Sequence, residues 1–116
     1  MIPKFRAWNS ETKEIEVFET YEEISELFLA LSADDGFYSI MQSTGLHDKN
    51  GKEIFEGDIL GTNDGLLNGV VEYRADLGMW TNSLLRYQNF ERLCNRANSR
   101  EIIGNIYKNP ELLEVE

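Results

Sequence analysis

Apolar and polar residues alternate along Lys4 to Trp8, where Phe5 and Ala7 share one side, and again along Glu14 to Phe18, where Ile15 and Val17 do. A period of two places successive side chains on opposite faces of a strand, and the polar Asn9-Ser10-Glu11-Thr12-Lys13 between the two runs predicts an opening hairpin. The period then changes. Thr20 followed three residues later by Glu23 is a capping box, in which each side chain satisfies a backbone amide left free at a helix start. Ile24, Leu27, Phe28 and Leu31 follow at i, i+3, i+4 and i+7 with Glu22, Glu23 and Glu26 turned away, which predicts an amphipathic helix ended by Ala33-Asp34-Asp35-Gly36.

Beyond that helix the pattern returns to short strands. Phe37 to Met41 reads as one, and His47-Asp48-Lys49-Asn50-Gly51-Lys52 reads as a turn, being rich in residues that accept left-handed backbone. Runs at Asp58 to Thr62, Gly69 to Arg74 and Met79 to Asn82 are joined by Asn63-Asp64-Gly65, Asn68-Gly69 and Asp76-Leu77-Gly78. Turns this closely spaced predict a small meander or barrel. In Asn89 to Asn98, Phe90, Leu93, Cys94 and Ala97 have helical spacing with Arg92 and Arg96 opposite, so a short helix is expected there. Glu101 to Tyr107 reads as a last strand, and Asn109-Pro110-Glu111 as a helix start.

Length and composition narrow this picture to one domain. The chain has 116 residues, 41% hydrophobic and 28% charged, enough apolar surface for a core without metals or disulfides. No stretch approaches the roughly 20 apolar residues needed to span a bilayer, no secretory pattern opens the chain, and Cys94 stands alone. A soluble protein of a reducing cytoplasm is therefore expected, with no membrane association.

Charge adds an asymmetry. The formal net charge is −10, which disfavours sequence-independent attraction to phosphate backbones. Between Glu11 and Asp35 nine carboxylates face Lys13 alone, whereas Ser83 to Arg100 carries Arg86, Arg92, Arg96 and Arg100 against Glu91 alone.

The candidate chemistry is thin. Asp48, Asn50, Glu53 and Glu56 suggest a calcium loop, but the required glycine and oxygen positions hold Glu53 and Lys52. Glu56-Gly57-Asp58 could seat magnesium or serve acid/base chemistry, yet a bend at Gly57 explains it more simply. His47 reads as a turn residue and Cys94 as a small core residue. Gly57, Gly61, Gly65 and Gly69 lack the Gly-Lys-Ser/Thr step of a phosphate loop. Trp8, Tyr73, Trp80 and Tyr87 could form an aromatic binding face or fill the core. Arg92, Arg96 and Arg100, four apart, would line one side of a continuing helix, and with Arg86, Trp80 and Tyr87 they make up the candidate interaction surface.

Three segments bear a family resemblance: Lys4-Phe5-Arg6-Ala7-Trp8, the run from Met41 to Leu60 containing Gly45-Leu46-His47-Asp48-Lys49-Asn50-Gly51-Lys52 and Glu56-Gly57-Asp58, and Ile102-Ile103-Gly104-Asn105-Ile106-Tyr107 continuing to Leu113. In order and spacing they are similar to the YopX-like proteins of phages and prophages. That resemblance implies a bacterial cytoplasm and an α+β fold: an N-terminal β-hairpin plus amphipathic helix over residues 1–41, and a small SH3-like β-barrel over residues 42–116. It implies no particular activity and lends no catalytic, metal-binding or cofactor-binding residue. The function expected is a non-enzymatic binding or regulatory module with a protein partner, either a host protein or a second copy in a homo-oligomer. The alternatives are a nucleic-acid binder using the arginine segment 86–100 and, third, a metal-dependent hydrolase using Asp48, Glu56 and Asp58.

Overall fold

The computed structural model describes residues 4–32, 37–62, 65 and 67–113, with Ala30 to Ser32 described by their backbone. It divides into two compact units, Met1–Ser43 and Thr44–Glu116.

In the first unit β1 (Phe5–Asn9) pairs antiparallel with β2 (Glu14–Phe18), from Phe5 opposite Phe18 to Asn9 opposite Glu14. The turn between them is closed by Lys13 N–H donating to the Asn9 carbonyl at 2.7 Å, with Asn9 Oδ1 accepting from the Glu11 and Thr12 amides. The capping box then forms as its chemistry dictates. Glu23 N–H donates to Thr20 Oγ1 at 3.1 Å, Thr20 N–H donates to Glu23 Oε1 at 3.2 Å, and α1 (Tyr21–Ser32) follows. The Thr20 amide first, and then the Thr20 hydroxyl, act on the Glu23 carboxylate and hold it below its ordinary range. On α1, Leu27 is buried and Phe28 meets Phe5 edge to face, ring centroids 5.9 Å apart. The helix end expected at Ala33 to Gly36 lies outside the described residues. β3 (Tyr38–His47) runs along the other side of β1, Ala7 opposite Ile40.

The second unit takes in the last residues of β3 and the rest of the chain. β4 (Glu53–Phe55) lies beside β3, across the turn 48–52 in which Gly51 has φ +83°. Five strands then form one sheet in the order β8-β7-β6-β5-β9: β5 (Asp58–Gly61), β6 (Gly69–Arg74), β7 (Met79–Leu84), β8 (Phe90–Arg92) and β9 (Glu101–Asn105). All of its pairings are antiparallel, and the β5–β9 ladder shifts register between Ile59 and Leu60. Between β8 and β9 the chain makes one helical turn, α2 (Leu93–Arg96), and a 3-10 turn at Ala97–Ser99; another 3-10 turn occupies Pro110–Leu113. Ile54, Leu60, Val71, Leu93 and Ala97 form the core of this unit, with Leu46, Trp80 and Ile102 packed against it.

This architecture corrects the expected fold. The chain is mainly β, built as two antiparallel sheets with few helices, and it does not divide into a hairpin-plus-helix half and an SH3-like barrel. β3 extends the N-terminal pair into a wider sheet. The five-stranded sheet is open, ending at β8 and β9. Side chains occupy part of the β9 edge: Asp48 Oδ2 accepts from Ile102 N–H at 3.0 Å, and Asn109 Oδ1 from Asn105 N–H at 3.1 Å. The helix expected over Asn89 to Asn98 is a strand followed by two short turns, because Phe90 to Arg92 pairs with β7 before the chain bends.

Close packing on the core face makes Gly69 hard to replace. A Cβ there would lie 2.5 Å from Asn82 Oδ1 and 2.7 Å from the Ser83 carbonyl oxygen, a backbone atom with little freedom to retreat. Gly69→Ala is expected to destabilise the protein by about 1 to 3 kcal/mol in urea titration. Adding Asn82→Ala should recover only the part of that loss due to the amide.

Candidate interaction surface

The arginines do not form a row. Arg86 and Tyr87 sit in the β7–β8 connection, which is held by Leu84 N–H donating to the Asn89 carbonyl at 3.0 Å and Leu85 N–H to the Asn68 carbonyl at 2.9 Å. Both are exposed, Tyr87 by half. Arg92 ends β8 and Arg96 ends α2, both exposed, while Leu93 and Ala97 turn into the core and fix the intervening backbone. Arg100 is different. It is buried, and its Nη2 donates to Glu91 Oε1 at 2.6 Å. The continuing helix that would align Arg92, Arg96 and Arg100 is absent from the described residues, so Arg100 leaves the candidate surface as a structural residue.

Around that ion pair lies a buried polar group of side chains. Asn82 stands directly opposite Glu91 in the β7–β8 register and is fully buried. Its amide, Glu91 Oε2 and Arg100 Nε have no hydrogen-bond partner among the described residues.

The aromatics also divide. Trp80 packs half-buried against the core and meets Tyr73 edge to face at 5.3 Å. Phe90 carries the Arg74 guanidinium 5.2 Å over its ring, and Arg74 makes paired bonds of 2.9 and 3.1 Å to Asp76. Trp80 thus serves the core, and Tyr87 is the exposed aromatic of the candidate set.

Two of the carboxylates considered for metal chemistry, Asp48 and Asp58, are taken up by backbone. Asp48 is buried, its Oδ1 accepting from the Asn50 and Lys52 amides at 2.9 and 2.8 Å and its Oδ2 from Ile102, more than fifty residues away. Burial pushes this carboxyl up, but the three amides and the Lys52 charge together outweigh it and hold it below the ordinary range. Asp58, also buried, closes the bend at Gly57 by accepting the Phe55 amide at 2.8 Å. Gly57 has φ +86°, the left-handed conformation that its place in the motif requires. His47 is exposed at the end of β3, and Cys94 is exposed on α2 rather than in the core.

A surface that the sequence reading missed lies on α1. Tyr21 is 70% exposed, Leu29 69% and Phe28 49%. With exposed Ser25 they occupy i, i+4, i+7 and i+8, one face of the helix, beside exposed Glu22 and Glu26 at i and i+4. The signal was present in Leu29, an apolar residue off the buried stripe and among glutamates. A search for the core-facing stripe passes over it.

Among the described residues no helix is long and apolar enough to cross a membrane. Comparison with known proteins finds no match among curated proteins. Two crystal structures are similar over nearly the whole chain. A protein designated EF1440 from Enterococcus faecalis is 30% identical, with TM-score 0.64 and coverage of 98% of this chain and 99% of that one. YopX from Bacillus subtilis is 18% identical, with TM-score 0.56 and coverage of 98% and 100%, a likeness of fold. The sequence matches the YopX protein family over residues 4–114, so that the three segments of the resemblance fall within one continuous match, and the chain belongs to the YopX family.

Proposed function

We propose that this chain is a non-enzymatic binding module that acts through protein–protein contact. The observation that carries this reading is the solvent-facing side of α1, where two large side chains, Tyr21 and Leu29, stand about 70% exposed on a capped helix. Phe28, braced by Phe5, lies beside them on the same face. Large apolar side chains gathered on one exposed helix face mark contact sites more often than scattered ones do. Of the three carboxylates in the hydrolase reading, Asp48, Glu56 and Asp58, the first and last are already bonded to backbone amides. The nucleic-acid reading keeps Arg86, Arg92 and Arg96, without the Arg100 charge that Glu91 neutralises. The setting that goes with the proposal is a bacterial cytoplasm in a phage or prophage context, where an exposed Cys94 stays reduced.

A photo-crosslinking residue placed at position 29 tests the proposal in the cell of origin, with position 13, on the β1–β2 turn, as control. The expected result is a discrete protein adduct from position 29 and none from position 13. Equal or no adducts at both positions would remove α1 as a contact face and the proposal with it.

A further inference from the structure

We infer that the occupant of this α1 face is a basic amphipathic helical segment of another protein, with an apolar ridge flanked by Lys or Arg at spacings of three to four residues. The inference rests on the reading of α1 as a contact face and adds the chemistry of what covers it.

Shape and charge argue for the same occupant. Tyr21, Phe28 and Leu29 project from one face, and Ser25, small and exposed, lies between Tyr21 and Leu29 one helical turn from each. Large residues flanking a small one form the ridge and notch into which the apolar side of a second helix packs. Glu22 and Glu26 run beside this row at i and i+4, both exposed, so cations at matching spacing on a facing helix would meet them. The surroundings keep the sign: Glu14 and Glu16 lie on β2, Glu19 is paired with Lys4 at 3.6 Å, and α1 carries no basic residue. A field of one sign over an apolar row selects a partner of the opposite sign and speeds its arrival. A second copy of the chain fits poorly, because each copy brings a net charge of −10 to the encounter. Nucleic acid has the wrong sign.

Two synthetic peptides of identical Leu and Lys composition, each about 18 residues so that a helix can form, test this. One has its leucines at i, i+3, i+4 and i+7, and the other has the same residues scrambled. Fluorescence anisotropy of the labelled peptides against the full chain should show the patterned peptide binding at least about tenfold more tightly, with affinity falling as ionic strength rises. Leu29→Ser, and separately Glu22→Gln with Glu26→Gln, should each weaken the patterned peptide several-fold while moving the midpoint of thermal unfolding by no more than about a few degrees, since these positions are exposed. Equal affinity for the two peptides, or binding unaffected by either variant set, would overturn the inference. The crosslinked adduct separates this failure from failure of the binding-module reading. A discrete adduct through an acidic or neutral segment, or with a second copy, overturns the basic-helix inference and leaves the module standing; loss of all position-specific adducts overturns both.

Discussion

Arg100→Ala is expected to lower stability by about 3 to 5 kcal/mol, the usual consequence of removing one partner from a buried ion pair. For a chain of this size that is a fall of roughly 10 °C or more in the midpoint of thermal unfolding. Arg100 and Glu91 have side-chain exposures of 11% and 13%, and their 2.6 Å contact joins β8 to the start of β9 across the α2 excursion. Truncating Arg100 leaves the Glu91 carboxylate beside buried Asn82 without the guanidinium that pairs with it. Replacing both partners with apolar residues of similar size, Glu91→Leu with Arg100→Met, should recover most of the loss, because desolvating two charges consumes much of what their attraction returns. A double variant as unstable as Arg100→Ala would show that the pair positions backbone in a way that apolar packing cannot replace.

The second large effect is expected at Asp48. Asp48→Ala removes the acceptor for three backbone amides at once, those of Asn50, Lys52 and Ile102, and should destabilise by about 3 kcal/mol or more. Its pH dependence follows from the direction of the shift. The folded carboxyl lies below the unfolded one, which titrates near pH ~3.9. The ionised side chain therefore contributes its full stabilisation above that unfolded value. This contribution falls away as pH drops through the lowered folded value. Urea unfolding of the protein and of Asp48→Asn should differ most near neutrality and converge in acid. A difference that stays constant across that range would mean that the charge on Asp48 is not what the three amides hold.

Much of the architecture was legible where a local rule decides it. The alternation over β1 and β2, the Thr20–Glu23 box and the span Gly69–Arg74 are all features that backbone chemistry or a period of two fixes within a few residues. Legibility failed where distant partners decide. Phe90, Leu93 and Ala97 have helical spacing, but Ser83 and Thr81 offered ladder partners to Phe90 and Arg92, and the strand won over the helix for three residues. Arg100 reads as a surface cation because nothing local announces that Glu91, back on β8, will face it. Asp48 reads as a residue of a polar turn, and it does serve the turn amides of Asn50 and Lys52, but the third amide it holds belongs to Ile102, beyond the reach of any local rule. Barrel closure failed as an expectation for a related reason: short strands and frequent turns suit an open sheet as well as a closed one.

The way β9 ends the five-stranded sheet bears on how copies of the chain avoid each other. An edge strand with free amides is a template onto which another chain can add. Here the Ile102 and Asn105 amides are held by Asp48 and Asn109, and Lys49 N–H occupies the Arg100 carbonyl at 2.9 Å. Recruitment of a foreign strand therefore has to wait for the 48–52 turn to lift away. The rate of association through β9 is then set by a local opening rather than by unfolding of the whole unit, and acid, which weakens the hold of Asp48, is the condition under which that opening comes most readily.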